Sequence, residues 1–543
     1  MFKGHPKGLY ALALANTGER FGYYTMLAVF ALFLRANFGL DAGVAGAIYS
    51  TFLGLVYFMP LFGGIAADKF GFGKMVTIGI TIMFIGYLLL SFPLGGDTVA
   101  MIAMLAALLF ISVGTGLFKG NLQVMVGNLY DDPKYADKRD SGFSIFYMAI
   151  NIGALFAPTA AVKIKEWAET SLGYSGNDAY HFSFAVACAS LIASIAIYYI
   201  FRSTFRHVEG GKGKKGEAAQ IEDNLTPAET KARMTALFLV FAVVIFFWMA
   251  FHQNGLTLTY FADEFTEKTS EGLQSMAFNV WNLVLIIVAV YAGFSVFQSE
   301  SKKEKVISGV IFFIISIYLI TKALLIGGVI DAYKFFDRIG SIIEPLGADW
   351  DTMKSIMKAY GVYDSSTIAV SAPIFQQFNP FYVVALTPVS MAIFGALAKR
   401  GKEPSAPRKI AYGMLVAAAG FAVMAIGSMG LLSPDAQAAA GDEATFVSAN
   451  WLISTYLVLT FAELLLSPMG ISFVSKVAPP KYKGMMMGCW FVATALGNML
   501  VAVGGFLWGG LPLTIVWSVF IALCLLSALF MFVMMKRLES ATK

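Results

Sequence analysis

Four charged residues lie deep inside long apolar segments of the chain, where charges are rare. They are Glu19, Arg20, Lys119 and Glu463. A charge at the centre of a membrane-spanning helix costs about 2.5–3.5 kcal/mol on insertion scales, so four unpaired charges would cost on the order of 10–14 kcal/mol. Such residues normally line a water-filled cavity or pair with one another. We therefore expect these four to mark a functional site.

The first apolar segment places an acid next to a base, and two hydroxyl-bearing rings follow one turn later. Arg20, Tyr23 and Tyr24 share a helical face, and Asn16 lies on that face one turn before Arg20. Glu19 lies about 100° round the helix from Arg20, so its carboxylate can point to a neighbouring helix. The pair is either a titratable carboxylate beside a fixed cation on a cavity wall, or a structural ion pair. The two rings favour the cavity.

The other deep charges have no partner close in sequence. Lys119 is too central to extend to the membrane surface, so it either pairs with Glu19 or meets a substrate anion. Glu463, with Ser467 one turn later, suits a cationic ligand, or is a protonated carboxyl group that donates a hydrogen bond. Lys322 lies in a later segment, and we expect it to extend to the outer interface without a function.

Several polar side chains share helical faces in other apolar segments. Trp248 and His252 are one turn apart, and histidine is the side chain that titrates nearest neutrality, although it is also a common structural residue at helix interfaces. Amides in such positions often serve only to hold helices together. Two further polar pairs are Tyr147 with Asn151, and Gln376 with Asn379.

The composition identifies the environment of these residues. The chain has 543 residues, of which 58% are hydrophobic and 13% charged, and its mean hydropathy is +0.71. Soluble domains are about 45–50% apolar and about 25% charged. These values exclude a soluble globular enzyme, a disordered chain and a disulfide scaffold. The remaining class is a polytopic membrane protein.

Apolar runs of about 20 residues predict membrane-spanning helices. The sequence has fourteen such runs, at 9–34, 43–66, 75–93, 98–128, 141–163, 181–201, 234–261, 276–298, 306–330, 373–398, 409–432, 450–476, 484–508 and 512–535. Lys and Arg are concentrated in every second connection, which predicts that both termini are cytoplasmic. We expect a cell membrane, and a bacterial inner membrane in particular.

The connections and a weak internal repeat predict the domain organisation. Residues 64–69 are echoed at 395–400, and 146–153 at 490–497, which is typical of transporters built from two repeated halves. The predicted parts are a six-helix bundle at 1–201, a polar cytoplasmic linker at 202–233, the first helix of a second bundle at 234–262, an insertion of two extra helices at 263–330, an external amphipathic segment at 331–372, and the rest of the second bundle at 373–543.

The sequence lacks the motifs of several other functions. It has no phosphate-binding Gly-Lys-Ser/Thr loop, no cluster of His and Cys with metal-ligand spacing, and no Ser-His-Asp pattern. We therefore expect no enzyme activity, no cofactor, no metal site and no nucleic-acid partner.

Short motifs resemble those of the proton-dependent oligopeptide transporters of the major facilitator superfamily. Residues 19–24 (ERFGYY) are similar to the second half of their Glu-x-x-Glu-Arg-Phe-x-Tyr-Tyr signature. Further resemblances, in chain order, are 64–74 to the superfamily loop motif, 116–121 (GLFKGN), 146–153 (FYMAINIG), 247–253, 375–380 (FQQFNP) and 463–470 (ELLLSPMG).

The resemblance implies a fold and a function. The fold is an all-α polytopic membrane protein with the major facilitator architecture, in which two six-helix bundles are supplemented by two extra spans between core helices 7 and 8. The function is secondary active import of di- and tripeptides by proton symport with alternating access. The proton gradient drives this import, and the protein is embedded in the lipid bilayer. No obligatory protein partner is implied.

The resemblance also assigns roles to residues. The residues expected to meet the peptide carboxylate are Arg20, Tyr23, Tyr24, Tyr57 and Lys119. Those expected to meet the peptide amine are Asn151, Asn379 and Glu463, and the remaining expected members of the substrate site are Tyr147, Trp248 and Ser467. Glu19 is expected to carry a proton.

Two positions depart from the family pattern in ways that bear on proton coupling. The first Glu of the signature is Asn16, and the carboxylate of the seventh span is replaced by His252. We hypothesise that His252 is a substitute proton carrier. The alternatives are an uncoupled or differently coupled relative that moves another small zwitterionic or anionic solute, and a membrane sensor that does not transport.

Overall fold

The protein is described from a computed structural model that covers residues 4–210, 225–327, 367–479 and 482–541, with a few isolated positions between 328 and 366. Within these ranges, fourteen helices are long and apolar enough to cross a membrane. They are α1 (Lys7–Phe38), α2 (Ala42–Phe70), α3 (Phe72–Leu90), α4 (Thr98–Asn128), α5 (Ser141–Ser171), α6 (Tyr180–Ile200), α7 (Pro227–Glu264), α8 (Val280–Gln298), α9 (Lys302–Ile326), α10 (Ala372–Lys399), α11 (Ala406–Gly427), α12 (Asn450–Val474), α13 (Met485–Leu507) and α14 (Leu513–Val533).

Each of the fourteen runs predicted from the sequence corresponds to one of these helices, but the ends differ, most of all in α5 and α7. Helix α5 continues to Ser171, because Lys163 and Lys165 pair with Glu166 and Glu169 along its surface instead of starting a loop. Helix α7 begins at Pro227, inside the segment predicted as a linker. Thr226 caps it through a capping box with Glu229.

Three spanning helices are interrupted within their length. Helix α2 breaks between Phe58 and Pro60, where the proline ring removes a backbone donor. The α-helical part of α7 ends at Phe251 and a 3-10 turn over His252–Gly255 follows, while α13 breaks between Met499 and Ala502. Interrupted helices are tolerated at membrane depth where they are enclosed by protein or line a cavity.

The helices pack as two groups. In the first group, which comprises α1 to α6, helix α1 packs against α5 and α6, and α3 packs closely along α4. In the second group, α11 packs between α12 and α14, and α13 packs against α7. The α3–α4 contact is close because glycines face each other: a Cβ added at Gly79 would lie 2.7 Å from the Gly114 carbonyl oxygen.

The two groups meet mainly on the side of the membrane where α1 ends. Arg35 forms an ion pair with Glu264 there, and helix α2 contacts α13, where Gly46 faces Gly505. Side-chain hydrogen bonds also join Gln376 to the Ala28 carbonyl (3.1 Å) and Thr159 to Gln377 (3.1 Å). All of these residues lie in the half of their helix nearer that side.

The extra helices α8 and α9 form a hairpin at the edge of the molecule. Helix α8 packs against α9, α10 and α5, whereas no described residue of α9 is buried. Lys322, which is expected to extend to the outer interface, lies near the end of α9, and its Nζ donates to the side-chain oxygen of Asn282 near the start of α8 (3.1 Å). A buried amide oxygen needs a donor, and in this hairpin the lysine supplies it.

A few short elements complete the described fold. Strands Thr269–Ser270 and Ile368–Ala369 pair in an antiparallel ladder, and short helices span Gly272–Ser275, Pro434–Ala439 and Met535–Ser540. Residues 202–210 after α6 are held by Arg202, whose guanidinium donates to Glu209 (2.8 Å). The amphipathic helices predicted within 331–372 fall almost wholly outside the described residues.

Candidate functional site

The acid and the base of helix α1 bind each other. Arg20 Nε and an η nitrogen donate to the two carboxylate oxygens of Glu19, each at 2.5 Å, and both residues are almost fully buried (0 and 2% exposed). This bidentate arrangement is the strongest form of a charge-assisted hydrogen bond. Glu19 could point to another helix but instead folds back onto Arg20, because a carboxylate buried without a partner is far less stable than a paired one.

Tyrosine rings pack around this ion pair. The guanidinium carbon of Arg20 lies 4.6 Å from the centre of the Tyr23 ring, and Tyr24 packs edge-on against Tyr23 at 5.2 Å. Tyr23 is buried while Tyr24 is half-buried. Tyr23 therefore packs against the Arg20 guanidinium, and Tyr24 is the more accessible of the two rings.

Lys119 is a cation without an acidic partner. Its Nζ lies 4.0 Å from the centre of the Tyr57 ring on α2. Within the described part of the chain no hydrogen bond or ion pair reaches this ammonium group, and the residue is half-buried. Of the two possibilities drawn from the sequence, pairing with Glu19 is not observed. The charge is available for an anion.

Glu463 is held from the opposite group of helices. Asn379 on α10 donates from Nδ2 to the Glu463 carboxylate (2.9 Å) and to the Thr460 hydroxyl (3.1 Å). Glu463 and Ser467 are both half-buried on α12. Gln376, one turn before Asn379, turns away and joins α1 to α7 through the Ala28 carbonyl and Thr259. The asparagine therefore belongs to the site, and the glutamine belongs to the contact between groups.

His252 lies where two interrupted helices meet. Its Nδ1 lies 2.6 Å from the Asn498 side-chain oxygen on α13, and its ring stacks on Trp248 with centroids 5.0 Å apart. The next residue, Gln253, donates to the Val501 carbonyl, which the break in α13 leaves free (3.1 Å). The Tyr57 ring lies 6.3 Å from the imidazole. These contacts hold the imidazole in one orientation.

The other expected site residues are in place with few contacts. Asn151 donates to the Tyr147 carbonyl of its own helix (3.0 Å), and Tyr147 is 45% exposed. The Trp248 indole nitrogen and the Asn16 amide nitrogen are buried, with no hydrogen-bond partner in the described structure. Asn16, at the position of the signature's first carboxylate, thus leaves its amide nitrogen without a partner among the described residues.

Two members of the site escaped the sequence reasoning. Asn498 binds His252 directly. Thr460 accepts a hydrogen bond from Asn379, which also donates to Glu463. A buried amide in an apolar span was a usable signal for Asn498, which is 0% exposed. Thr460 carried none, since threonine is common in apolar helices.

The arrangement separates opposite charges across the two groups of helices. Lys119, which has no acidic partner among the described residues, belongs to the first group, and the carboxyl group of Glu463, held by Asn379, belongs to the second. Lys119, Tyr24, Asn151 and Glu463 are half-buried, which fits the cavity that the sequence predicts between the groups.

Comparison with known proteins identifies the class. A profile of the POT family matches residues 73–221 and 348–504, which is more than half of the chain. The chain is 30% identical over 523 residues to the Uncharacterized transporter YclF of Bacillus subtilis (strain 168), covering 94% of this chain and 90% of that protein. This chain belongs to the POT family, a family of multi-pass membrane transporters.

Other relatives carry functional names. The Peptide transporter YePEPT of Yersinia enterocolitica is 29% identical, with 93% of this chain and 88% of that protein covered. The Di-/tripeptide transporter of Lactococcus lactis subsp. lactis (strain IL1403) is 27% identical, with 92% and 89% covered.

Solved structures share the fold. A crystal structure of a peptide transporter POT in complex with sulfate superposes with a TM-score of 0.70 at 22% identity, covering 100% of this chain and 96% of that chain. A POT family transporter in complex with 5-aminolevulinic acid gives 0.70 at 20% identity, covering 100% and 98%. The predicted fold class, an all-α membrane protein with the major facilitator architecture and fourteen spans, is confirmed.

Proposed function

We propose that this chain is a secondary active transporter that imports di- and tripeptides by proton symport. One observation carries the proposal: Lys119, a cation without an acidic partner among the described residues, lies on one group of helices, and Glu463, a carboxyl group that accepts from an amide, lies on the other. A peptide zwitterion has a carboxylate and an amine at its two ends. It would bind Lys119 at one end and Glu463 with Asn379 at the other, and so link the two groups. The names of the relatives support the same substrate class.

The contacts between the groups support the proposed alternating access. They are closed together on the side where α1 ends, by the Arg35–Glu264 ion pair and the contact of α2 with α13. We infer that the cavity opens toward the side where α1 begins. The excess of Lys and Arg in the connections on that side makes it cytoplasmic, with both termini inside a cell membrane, in bacteria the inner membrane.

The proposed moving parts are the bundle at 1–201 and the second bundle made of 234–262 and 373–543. The linker at 202–233, the insertion at 263–330 and the segment at 331–372 lie outside them. Glu19 and His252 are the proposed proton carriers, and Tyr24, Tyr57, Tyr147, Asn151, Trp248 and Ser467 complete the proposed substrate site. No cofactor takes part, and the proton gradient drives accumulation.

A second candidate is transport of another small zwitterion without coupling. Asn16 is an amide that cannot carry a proton as a carboxylate does, and one related structure holds 5-aminolevulinic acid. In this case the two poles bind the solute as before, and no proton moves with it.

Uptake of labelled dialanine into proteoliposomes tests both candidates. Accumulation that requires an inward proton gradient is the expected result for symport. Counterflow exchange without accumulation would support the uncoupled candidate. Absence of uptake in both modes would refute peptide transport. Empty liposomes provide the control for leakage.

A further inference from the structure

A histidine is buried at the end of the first group of helices, on the side where α1 ends, which is the proposed outer side. His181 is the second residue of α6 and is 5% exposed. Its Nδ1 lies 2.5 Å from the carbonyl oxygen of Leu90, the last residue of α3. Because a carbonyl oxygen only accepts, Nδ1 carries the hydrogen and Nε2 carries the lone pair. Nε2 is buried and has no hydrogen-bond partner in the described structure.

His181 lines a small cavity between α1, α3, α4 and α6. The volume of the cavity is about 10 Å³, which is the space that one water molecule needs. Asn37, on the last turn of α1, also lines it; its Nδ2 donates to the Gly95 carbonyl (2.9 Å), and its oxygen has no donor among the described residues. Phe92 and Leu94 in the lining are exposed at the surface. A water in this cavity would have the imidazole nitrogen and the amide oxygen as polar partners.

The surroundings of the imidazole also hold the end of α1. The Phe33 ring on α1 packs edge-on against the imidazole, with centroids 5.3 Å apart. The side chain of Asn177, just before α6, donates to the Ala36 carbonyl (2.9 Å). Arg35, which pairs with Glu264 on α7, lies between these two contacts. The position of the Arg35 side chain therefore depends on how firmly α6 holds this turn of α1.

Few charges act on the imidazole. Arg35 is paired with α7, Asp97 caps the start of α4, and Lys165 on the neighbouring helix α5 is paired with Glu169. Asp178, in the turn before α6, acts on the imidazole as an opposite charge. Among the described residues that line the cavity, none except the histidine is titratable. Since burial opposes a positive ring, the groups that bind its two nitrogens decide whether it forms.

A proton at Nε2 would strengthen both hydrogen bonds of the imidazole. The bond from Nδ1 to Leu90 would become charge-assisted, and such bonds are roughly twice as strong as neutral ones. The positive ring would lie at the C-terminal end of α3, where the helix dipole favours a cation. Nε2 would become a donor to the water and, through it, to the Asn37 oxygen. Both changes would tighten the contacts of α6 with α3 and α1.

We propose that His181 and the adjoining cavity form a proton- and water-binding site at the outer surface, and that protonation there fastens the end of α1 and stabilises outer closure. The proton at this site is not transported. It equilibrates with the outer solution and is distinct from the proposed coupling protons at Glu19 and His252. The site thus makes closure respond to outer acidity, which goes beyond the proposed transport and uses only its orientation in the membrane.

Deuterium exchange at the imidazole Cε1 carbon tests the site directly. It is read by mass spectrometry of peptides from the full-length protein in proteoliposomes. The chain has four histidines, at 5, 181, 207 and 252, which are far enough apart to fall on separate peptides. The exchange rate of His181 plotted against pH should show an inflection between about pH 5 and 8, the range in which imidazoles change charge. A rate without an inflection in that range would overturn the proposal.

His181→Asn separates the titration from the packing. The asparagine amide can donate to the Leu90 carbonyl as Nδ1 does, and it does not titrate. Closure is read from maleimide labelling of a cysteine introduced at the buried Thr259 on α7, in a background without the native cysteines, and each rate is divided by that of a free thiol at the same pH. On lowering the outer pH from about 7.5 to about 5.5, this ratio should fall about fivefold more with His181 than with the asparagine.

His207→Asn is the matched control, because this exposed histidine lies beyond the other end of α6. It should retain the full pH response. An equal response in His181→Asn and the unmodified protein would overturn the link to closure. If His181→Asn does not fold, as judged by thermal unfolding, His181→Gln takes its place. Neither measurement uses a peptide, so a failure of the proposed peptide transport would leave both results unchanged.

Discussion

Arg35 and Glu264 form an ion pair that ties the end of helix α1 to the end of helix α7. The Trp508 indole donates to the same carboxylate (2.9 Å), and the Arg35 guanidinium lies 4.7 Å from the centre of the Tyr260 ring. Both charged side chains are partly buried. Because the pair joins the two groups of helices on the side where the cavity is closed, it stabilises closure there.

Glu264→Gln is expected to open that side. Hydrogen bonds to charged groups contribute about 1.5–3 kcal/mol, and about 1.4 kcal/mol changes a population tenfold. A cysteine introduced at the buried Thr259 should therefore react with a maleimide about tenfold faster. The background lacks the native cysteines at 188, 489 and 524.

Glu166→Gln is the matched control for this change. It removes an equally close pair, Lys163–Glu166 (2.8 Å), which lies within helix α5 and is well exposed. In the Glu166→Gln variant the rate of maleimide labelling should not change. Exposed ion pairs contribute about 0–1 kcal/mol to stability, and the Lys163–Glu166 pair does not join two helices. Equal labelling rates in Glu264→Gln and Glu166→Gln would contradict a role for Glu264 in closure.

Glu463→Gln is expected to weaken dialanine binding by about 10-fold or more, because a charge-assisted hydrogen bond to the peptide amine is lost. Binding of N-acetyl-dialanine, which has no charged amine, should change little. Equilibrium binding of both ligands is measured by calorimetry. Glu443→Gln, in the exposed turn Gly441–Glu443, is the control. The assignment fails if both ligands lose affinity equally.

Lys119→Gln should have the complementary selectivity. Dialanine is expected to bind about 10-fold or more weakly, because the carboxylate loses its cation, while the affinity for alanyl-alaninamide should stay within a factor of about two. Lys134→Gln, in an exposed connection, removes the same charge without touching the site. Similar losses for the acid and the amide would show that Lys119 acts on the fold rather than on the carboxylate.

Lys322→Met is expected to lower stability without altering transport. It leaves the Asn282 oxygen on α8 without its donor, which costs about 1–3 kcal/mol. Thermal unfolding in detergent should therefore show a lower Tm, while the uptake rate per folded molecule is unchanged. Lys303→Met, at the exposed start of α9, should change neither the Tm nor the uptake rate. A loss of uptake at unchanged Tm would place the hairpin in the transport cycle.

Hydropathy was sufficient to predict the architecture. Each spanning helix is an apolar run, and the length of such a run is set by the thickness of the bilayer rather than by tertiary contacts. The ends were less certain where charges pair along a helix, as Lys163 and Glu166 do in α5. There the chain remains helical beyond the apolar run.

The partners of buried side chains could not be predicted from helical spacing. Glu19 and Arg20 are about 100° apart on the helix, yet their long side chains bend toward each other because no other ion reaches them in the buried interior. Lys322 donates to the amide of Asn282 across a hairpin, and Asn498 binds His252 where two helices are interrupted. These contacts depend on packing between distant segments.

The contact of α2 with α13 has a mechanical consequence. Near the outer end of both helices, Gly46 and Gly505 face each other so closely that a Cβ added at Gly46 would lie 3.2 Å from the Gly505 Cα. Neither glycine has a side chain to interlock with the opposite helix, although the side chains of Phe506 and Met499 pack against Gly43 and Gly54 on either side. In the proposed cycle this glycine contact would allow one bundle to tilt against the other while the Arg35–Glu264 ion pair forms and breaks.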